Sequence, residues 1–128
     1  MTEDDIGAAL VLALSPLVSG RVYWDHFPQP PAAPIWPSMR YTWVSQTPDQ
    51  RWCGDGDEES AEYRLQIDIV LLESKGKSQL TAMGRQVKAL IKSTFPGWRR
   101  ESQFSDFDFE TKTNRMMLDY SISTSVVL

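Results

Sequence analysis

Between residues 61 and 74 the chain alternates with a period of two. Tyr63, Leu65, Ile67, Ile69 and Leu71 are separated by Arg64, Gln66, Asp68 and Val70. Successive side chains of a strand point to opposite faces, so the pattern predicts a central strand with one buried and one more polar face. The next segment, Lys75 to Thr94, changes period. Leu80, Met83, Gly84, Val87 and Ile91 recur at helical spacing, which predicts a helix packed on the sheet, with Ser78 as its N-cap. Pro96-Gly97 ends it.

The remaining elements follow from the same reading. Residues 2–14, TEDDIGAALVLAL, predict a first helix capped by Thr2, with Asp5 three residues later in a weak capping-box pattern. Glu3, Asp4 and Asp5 suit the positive end of its dipole. Ile6, Leu10, Ala13 and Leu17 share a face, whereas Val11 and Leu12 lie off it. A helix apolar over so much of its circumference is either buried on two sides or meets another subunit on one; burial is the expectation. Pro16 should kink or restart it. Strands are predicted at residues 20–24 and 39–46, then around Phe104, Phe107 and Phe109, and finally over 114–124, where Met116, Leu118, Tyr120 and Ile122 alternate. Trp24, Trp36, Trp43 and Trp98 fall within or beside strands and are expected in the core or an interface.

The order is helix, three strands, helix, two strands. It predicts a single α+β domain over residues 1–128, with a mainly antiparallel sheet of four to five strands and two helices packed on one face. Five prolines between Pro28 and Pro37 make residues 25–37 an extended connector or a partner-facing arm. Residues 47–60 read as a flexible acidic loop.

Composition narrows the function classes. A chain of 128 residues with 41% hydrophobic residues can build one core. Its formal net charge of -4 argues against a protein whose main task is to coat DNA. One cysteine cannot form an internal disulfide, the acidic N-terminus does not resemble a secretory signal, and the apolar run Ile6–Leu14 is too short to span a bilayer. These features point to a soluble intracellular product with no membrane partner.

Candidate chemistry is sparse. Cys53 would need a base to act as a nucleophile, and nothing places His26, the sole histidine, beside it. The stretch DGDEES, residues 55–60, begins like a calcium loop with Asp55 and Asp57. It lacks the glycine at the sixth position and the glutamate at the twelfth, which are Ser60 and Gln66 here. No phosphate loop is present and no cofactor is implied. The charges are more informative. Seven of the 13 Lys and Arg residues lie between Lys75 and Arg100, with no acid among them. Arg85, Lys88 and Lys92 form a stripe along the second helix, either a solvated flank or an electrostatic contact surface. Asp55, Asp57, Glu58 and Glu59 are the acidic counterpart. Opposite charges on two parts of one small domain suggest head-to-tail association, which closes into rings. A small nucleic-acid-binding module using the basic helix is the rival reading.

Several phrases resemble a known group. The acidic start and Ala/Leu helix, SPLVSGRVYW, the proline-containing link and APIWPSMRYTWVSQTP occur in that order. YRLQIDIVLLESKGKSQL then runs from strand into helix, and RMMLDYSIST fits a closing strand. The chain resembles the tail completion, or tail terminator, proteins of tailed bacteriophages and prophages. The resemblance implies an α+β subunit that assembles as a hexameric ring on the finished tail tube, stops its growth and presents a surface to the head connector or a head-completion protein. DNA would pass through the lumen without sequence-specific binding. No catalysis is implied. The place implied is the head-proximal end of the virion tail, after assembly in the host bacterial cytoplasm. Asp55, Asp57, Glu58, Glu59, Arg85, Lys88 and Lys92 are then the candidate contacts to a neighbouring subunit or partner. Another head–tail joining or minor tail subunit is the alternative within this class.

Overall fold

The structure is a computed structural model and describes residues 3–29, 33–48 and 58–127. Helix α1 (Glu3–Leu14) runs into a 3-10 turn (Ser15–Leu17), followed by strands β1 (Val22–Trp24), β2 (Ser38–Pro48) and β3 (Glu58–Leu72). A second 3-10 turn (Glu73–Lys75) leads to helix α2 (Gly76–Thr94), then strands β4 (Arg99–Asp108) and β5 (Thr113–Val127). The strands form one sheet in the order β1-β2-β3-β5-β4. Neighbours are antiparallel except β1 and β2, which are parallel. The expected α+β architecture holds, with both helices on one face.

Strand β3 sits at the centre because its alternation supplies the longest apolar row. Tyr63, Leu65, Ile67, Ile69 and Leu71 are all buried. In register beside them on β5 stand Ile122, Tyr120, Leu118, Met116 and Asn114, so two strands present one apolar floor. Leu10 and Leu14 of α1 and Leu80, Val87 and Ile91 of α2 close over it. Fully burying each such side chain stabilises by about 1.5–3 kcal/mol. Gly84 lets α2 lie close: a Cβ there would come within 2.5 Å of the Met116 sulfur.

The first helix is buried on one side only. Leu10 and Leu14 are in the core and Val11 packs against it, but Leu12 is 79% exposed. The sheet lies under one face of α1 and no described element covers the other, so burial on two sides does not occur. Pro16 restarts the chain as the 3-10 turn, as its missing N–H requires. The expected cap of α2 is also different. Ser78 lies inside the helix, which begins at Gly76 with Lys75 at the cap position and no side-chain cap bond. The 3-10 turn after β3, held by Glu73 N–H donating to Lys112 O at 2.8 Å, brings the helix start forward. Gly76 supplies the positive φ of 82° that this junction needs.

The other face of the sheet is more covered than its polar alternation suggests. Asp68 and Val70 are buried. The connector folds back across this face, with Phe27 between Tyr23 and Trp36 in edge contacts at 6.1 and 5.1 Å and lying 5.2 Å from the Arg40 guanidinium. Arg21 Nε donates to Pro37 O at 2.8 Å and anchors its far end. On the helix side, Trp43 packs on Tyr63, and Trp98 stacks on Phe95 at 4.1 Å beside Tyr120. Trp24, at the end of β1, is 65% exposed.

Of the range 47–60, residues 47 and 48 belong to β2 and residues 58–60 to β3, and residues 49–57 lie outside the described residues. β2 reaches Pro48 and β3 begins at Glu58, because the long β5 extends the ladder until Glu58 meets Val127. Continuous pairing on β5 overrides the low strand propensity of Glu58 and Glu59.

Candidate functional site

The basic stripe exists on α2. Residues 85, 88 and 92 follow helical spacing away from the buried row Leu80, Gly84, Val87 and Ile91. Arg85 and Lys92 are exposed, whereas Lys88 is half-buried and its Nζ donates to Gln103 Oε1 of β4 at 2.8 Å. Burial, then the positive charges of Arg100 and Arg85, pull the Lys88 ammonium below its ordinary pKa. Arg100 therefore belongs to this patch. It pairs with Tyr120 in the β4–β5 ladder, on the helix-bearing side of the sheet. A strand residue joins a helix stripe because β4 is the sheet edge next to α2.

The acidic partners are only partly placed. Glu58 and Glu59 are the first residues of β3, at the end of the sheet where β2 finishes, and the exposed Glu62 follows them. Asp55, Asp57 and Cys53 lie outside the described residues. The basic group occupies α2 and edge strand β4, and the described acidic candidates stand at the start of β3. No three His, Cys, Asp or Glu residues gather into a metal site among the described residues. No helix of the described residues is long and apolar enough to cross a membrane.

A profile described as tail completion protein gp17 matches residues 8–125, which include every described strand but the last two residues of β5. The chain belongs to this tail completion family. A chain in the solved structure entitled "Virion of native gene transfer agent (GTA) particle" has the same fold, with a TM-score of 0.56 and 12% identity over 93% of each chain. No curated protein is a significant match. As a tail completion protein the chain is a structural component of the phage tail, in the head–tail joining group, and not an enzyme.

A tail completion protein acts through its surfaces, and the sheet face opposite the helices carries features that the alternation alone did not resolve. Arg64 Nη2 donates to Asp119 Oδ2 at 2.5 Å. Arg115 holds Asp106 with two bonds, Nη2 to Oδ2 at 2.7 Å and Nε to Oδ1 at 3.1 Å. Glu101 accepts from Arg99 Nε and from Ser121 Oγ, each at 2.8 Å. These contacts run across β3, β5 and β4 as rows of alternating sign. Their bonds hold the Asp106 and Glu101 carboxyls below the usual carboxylate range: the Arg115 bond for Asp106, and the Ser121 bond followed by the Arg99 bond for Glu101. The sequence signal was present in the polar positions of β3 and β5, but their partners depend on register.

Next to these rows an open groove of about 930 Å³ runs between the folded-back connector and the β4–β5 turn. Phe27, Trp36, Phe107 and Phe109 line it together with Arg40 and Arg115. Phe109 is 77% exposed and makes an edge contact with Phe107 at 4.9 Å.

Proposed function

We propose that this chain caps the tail tube as a ring, stops tube growth and forms the joining surface to the head, with DNA passing through the lumen. The observation that carries this reading is the segregation of charge. Arg85, Lys88, Lys92 and Arg100 gather on α2 and β4, while Glu58, Glu59 and Glu62 start β3 on the side of the sheet that leads to β2. Charge separated in this way favours heterologous contact between copies, which closes into a ring when the rotation allows. Six copies is the number the family resemblance suggests. The tube protein on one side and the head connector or a head-completion protein on the other are its partners in this reading.

The test is direct. Growing tail tubes are supplied with the purified protein, and their lengths and ends are measured by electron microscopy. Fixed lengths with a ring at one end support the reading. Tubes that continue to elongate as they do without the protein overturn it.

One observation favours a second reading. Arg85, Lys88 and Lys92 on α2 and Arg100 on the neighbouring edge strand form one basic patch, and clustered positive charge attracts a phosphate backbone. Salt-dependent binding to duplex DNA by the free subunit, with no effect on tube length, would favour that module instead.

A further inference from the structure

The sheet has two incomplete edges, and they lie on opposite sides. Strand β4 ends the sheet on one side and, among the described residues, pairs only with β5. Every position of β4 except Phe107 is exposed. Phe104, in its regular part, is 54% exposed. On the other side, β1 covers β2 only at Met39, Arg40 and Tyr41. Beyond Tyr41, residues 42–48 have no strand on their outer side among the described residues. An open strand edge is a row of unpaired N–H and C=O groups and a template for another strand. Proline and lysine are absent from β4, and its charges lie towards its ends, Arg99, Arg100 and Glu101 at one and Asp106 and Asp108 at the other, leaving Ser102 to Ser105 uncharged.

The polarity of the two edges matches. β4 is antiparallel to β5, β5 to β3 and β3 to β2, so β4 is antiparallel to β2. A copy set beside the first with its strands running the same way therefore offers β2 to β4 as an antiparallel partner. The irregularities also match. β2 carries an extra residue between Trp43 and Ser45, and β4 carries one between Arg100 and Ser102. With Phe104 opposite Thr42 of the next copy, the first bulge sets Ser102 opposite Ser45 and the second sets Arg99 opposite Thr47. The pairing stops where β1 begins. Arg99 then enters the row in which Thr47 pairs with Glu62, and Arg100, Arg85 and Lys88 approach the side of the neighbour where β3 starts with Glu58 and Glu59.

The geometry points to a second copy of this chain as the occupant of the β4 edge, residues 99–104 of one copy pairing antiparallel with residues 42–47 of the next. This inference rests on the ring reading above and assigns the surfaces that build the ring. Within one chain Phe104 shares a row with Arg40, and across the contact with Thr42, so each copy is displaced by two residues along the strands. A staggered sheet of this kind can close on itself.

The test uses two single-cysteine proteins, Ser45→Cys and Ser102→Cys, each in the full chain with Cys53→Ser. Both serines are exposed, and Ser45 with Arg64 and Ser102 with Asp119 place them on the same face of the sheet. Melting curves like that of the unsubstituted chain establish that each variant folds. The two are mixed, bound to tail tubes or concentrated, and mildly oxidised. A covalent dimer in the mixture and in neither protein alone supports the pairing, whatever the tubes do. A dimer of Ser102→Cys alone means that β4 pairs with β4, and overturns it. Absence of any dimer on tubes that are visibly capped also overturns the pairing while leaving the ring reading intact. The ring reading has its own failure, the unsubstituted protein leaving tube growth unchanged.

Discussion

Arg40 and Asp68 stand directly opposite each other in the β2–β3 ladder, and Arg40 Nε donates to Asp68 Oδ2 at 2.8 Å. A second bond from Arg40 Nη2 reaches the same oxygen, and Gln66 Nε2 donates to Oδ1 at 2.9 Å. Asp68 is fully buried, whereas Arg40 keeps some exposure beside Phe27. The pair explains how a carboxylate is tolerated in the middle of the central strand. It also ties the connector to the sheet, because the arginine that neutralises Asp68 is the one that Phe27 covers.

The two partners should respond unequally to removal. Arg40→Leu leaves a buried carboxylate with only Gln66 as donor, and breaking such a pair costs about 3–5 kcal/mol. Asp68→Asn keeps the shape and leaves the charge on the side chain that can still reach water, so its loss should be smaller. Urea denaturation of both variants checks the order. Equal losses, or a larger loss for Asp68→Asn, would mean that the carboxylate is not the demanding partner.

A second prediction concerns the fit of α2 on β5. Gly84→Val would drive a branched side chain into the space of the Met116 thioether, which a Cβ alone already meets at 2.5 Å. Overpacking of this kind costs about 1–3 kcal/mol. Because the obstacle is the far end of a flexible side chain, Met116→Ala should recover part of the loss in the double variant. A double-mutant cycle by thermal or denaturant unfolding measures that coupling.

Acid should weaken the fold through the charged rows. Asp106 and Glu101 have folded pKa values lowered by their bonds to Arg115, and to Ser121 and Arg99. In the unfolded chain these carboxyls bind protons at higher pH than in the folded one. Their contribution is therefore complete above the ordinary carboxylate pKa of about 4, and is lost as pH falls through that value and then through the folded one. Melting temperature should fall along this course, and less steeply in Asp106→Asn. Both side chains are partly exposed, so added salt should reduce the difference. An unchanged pH profile in Asp106→Asn would leave the Arg115 contact without a role in stability.

Much of this architecture is legible from side-chain period. The row from Tyr63 to Leu71 and the helical repeat from Leu80 to Ile91 identify β3 and α2 because each repeat has one apolar side and one unambiguous period. The parallel pairing of β1 with β2 is not legible, since three residues carry no register information without the connector that returns to them. The burial of Asp68 is hidden for a related reason: its neutralising arginine comes from another strand and its cover from the connector. Leu12 and Trp24 show the limit of hydrophobicity as a guide, because an apolar side chain is buried only if an element lies over it. Of the candidate contacts, the stripe Arg85, Lys88 and Lys92 follows from helical spacing alone. The addition of Arg100 depends on which face of an edge strand it occupies.

The stripe supplies the last prediction. Arg85→Glu, Lys88→Glu and Lys92→Glu together should leave the subunit folded. Arg85 and Lys92 are exposed, and Lys88 makes a single exposed bond to Gln103, so each change should cost no more than about 0.5 kcal/mol. Lys88→Glu also places an acid beside Arg100 in place of a repelled cation, which offsets part of the lost bond. Assembly should suffer far more than folding. In the ring reading the stripe faces the acidic start of β3 in the next copy, and reversal turns attraction into repulsion. Tail completion by the triple variant should fall, and the defect should shrink in high salt as screening weakens both interactions. Introducing lysine at Glu58, Glu59 and Glu62 should restore assembly to the triple variant while weakening it in the unsubstituted background. Wild-type tail completion by a folded triple variant would reduce the stripe to a solvated helix flank. Normal tail completion with lost DNA binding would assign it to nucleic acid rather than to the neighbouring subunit.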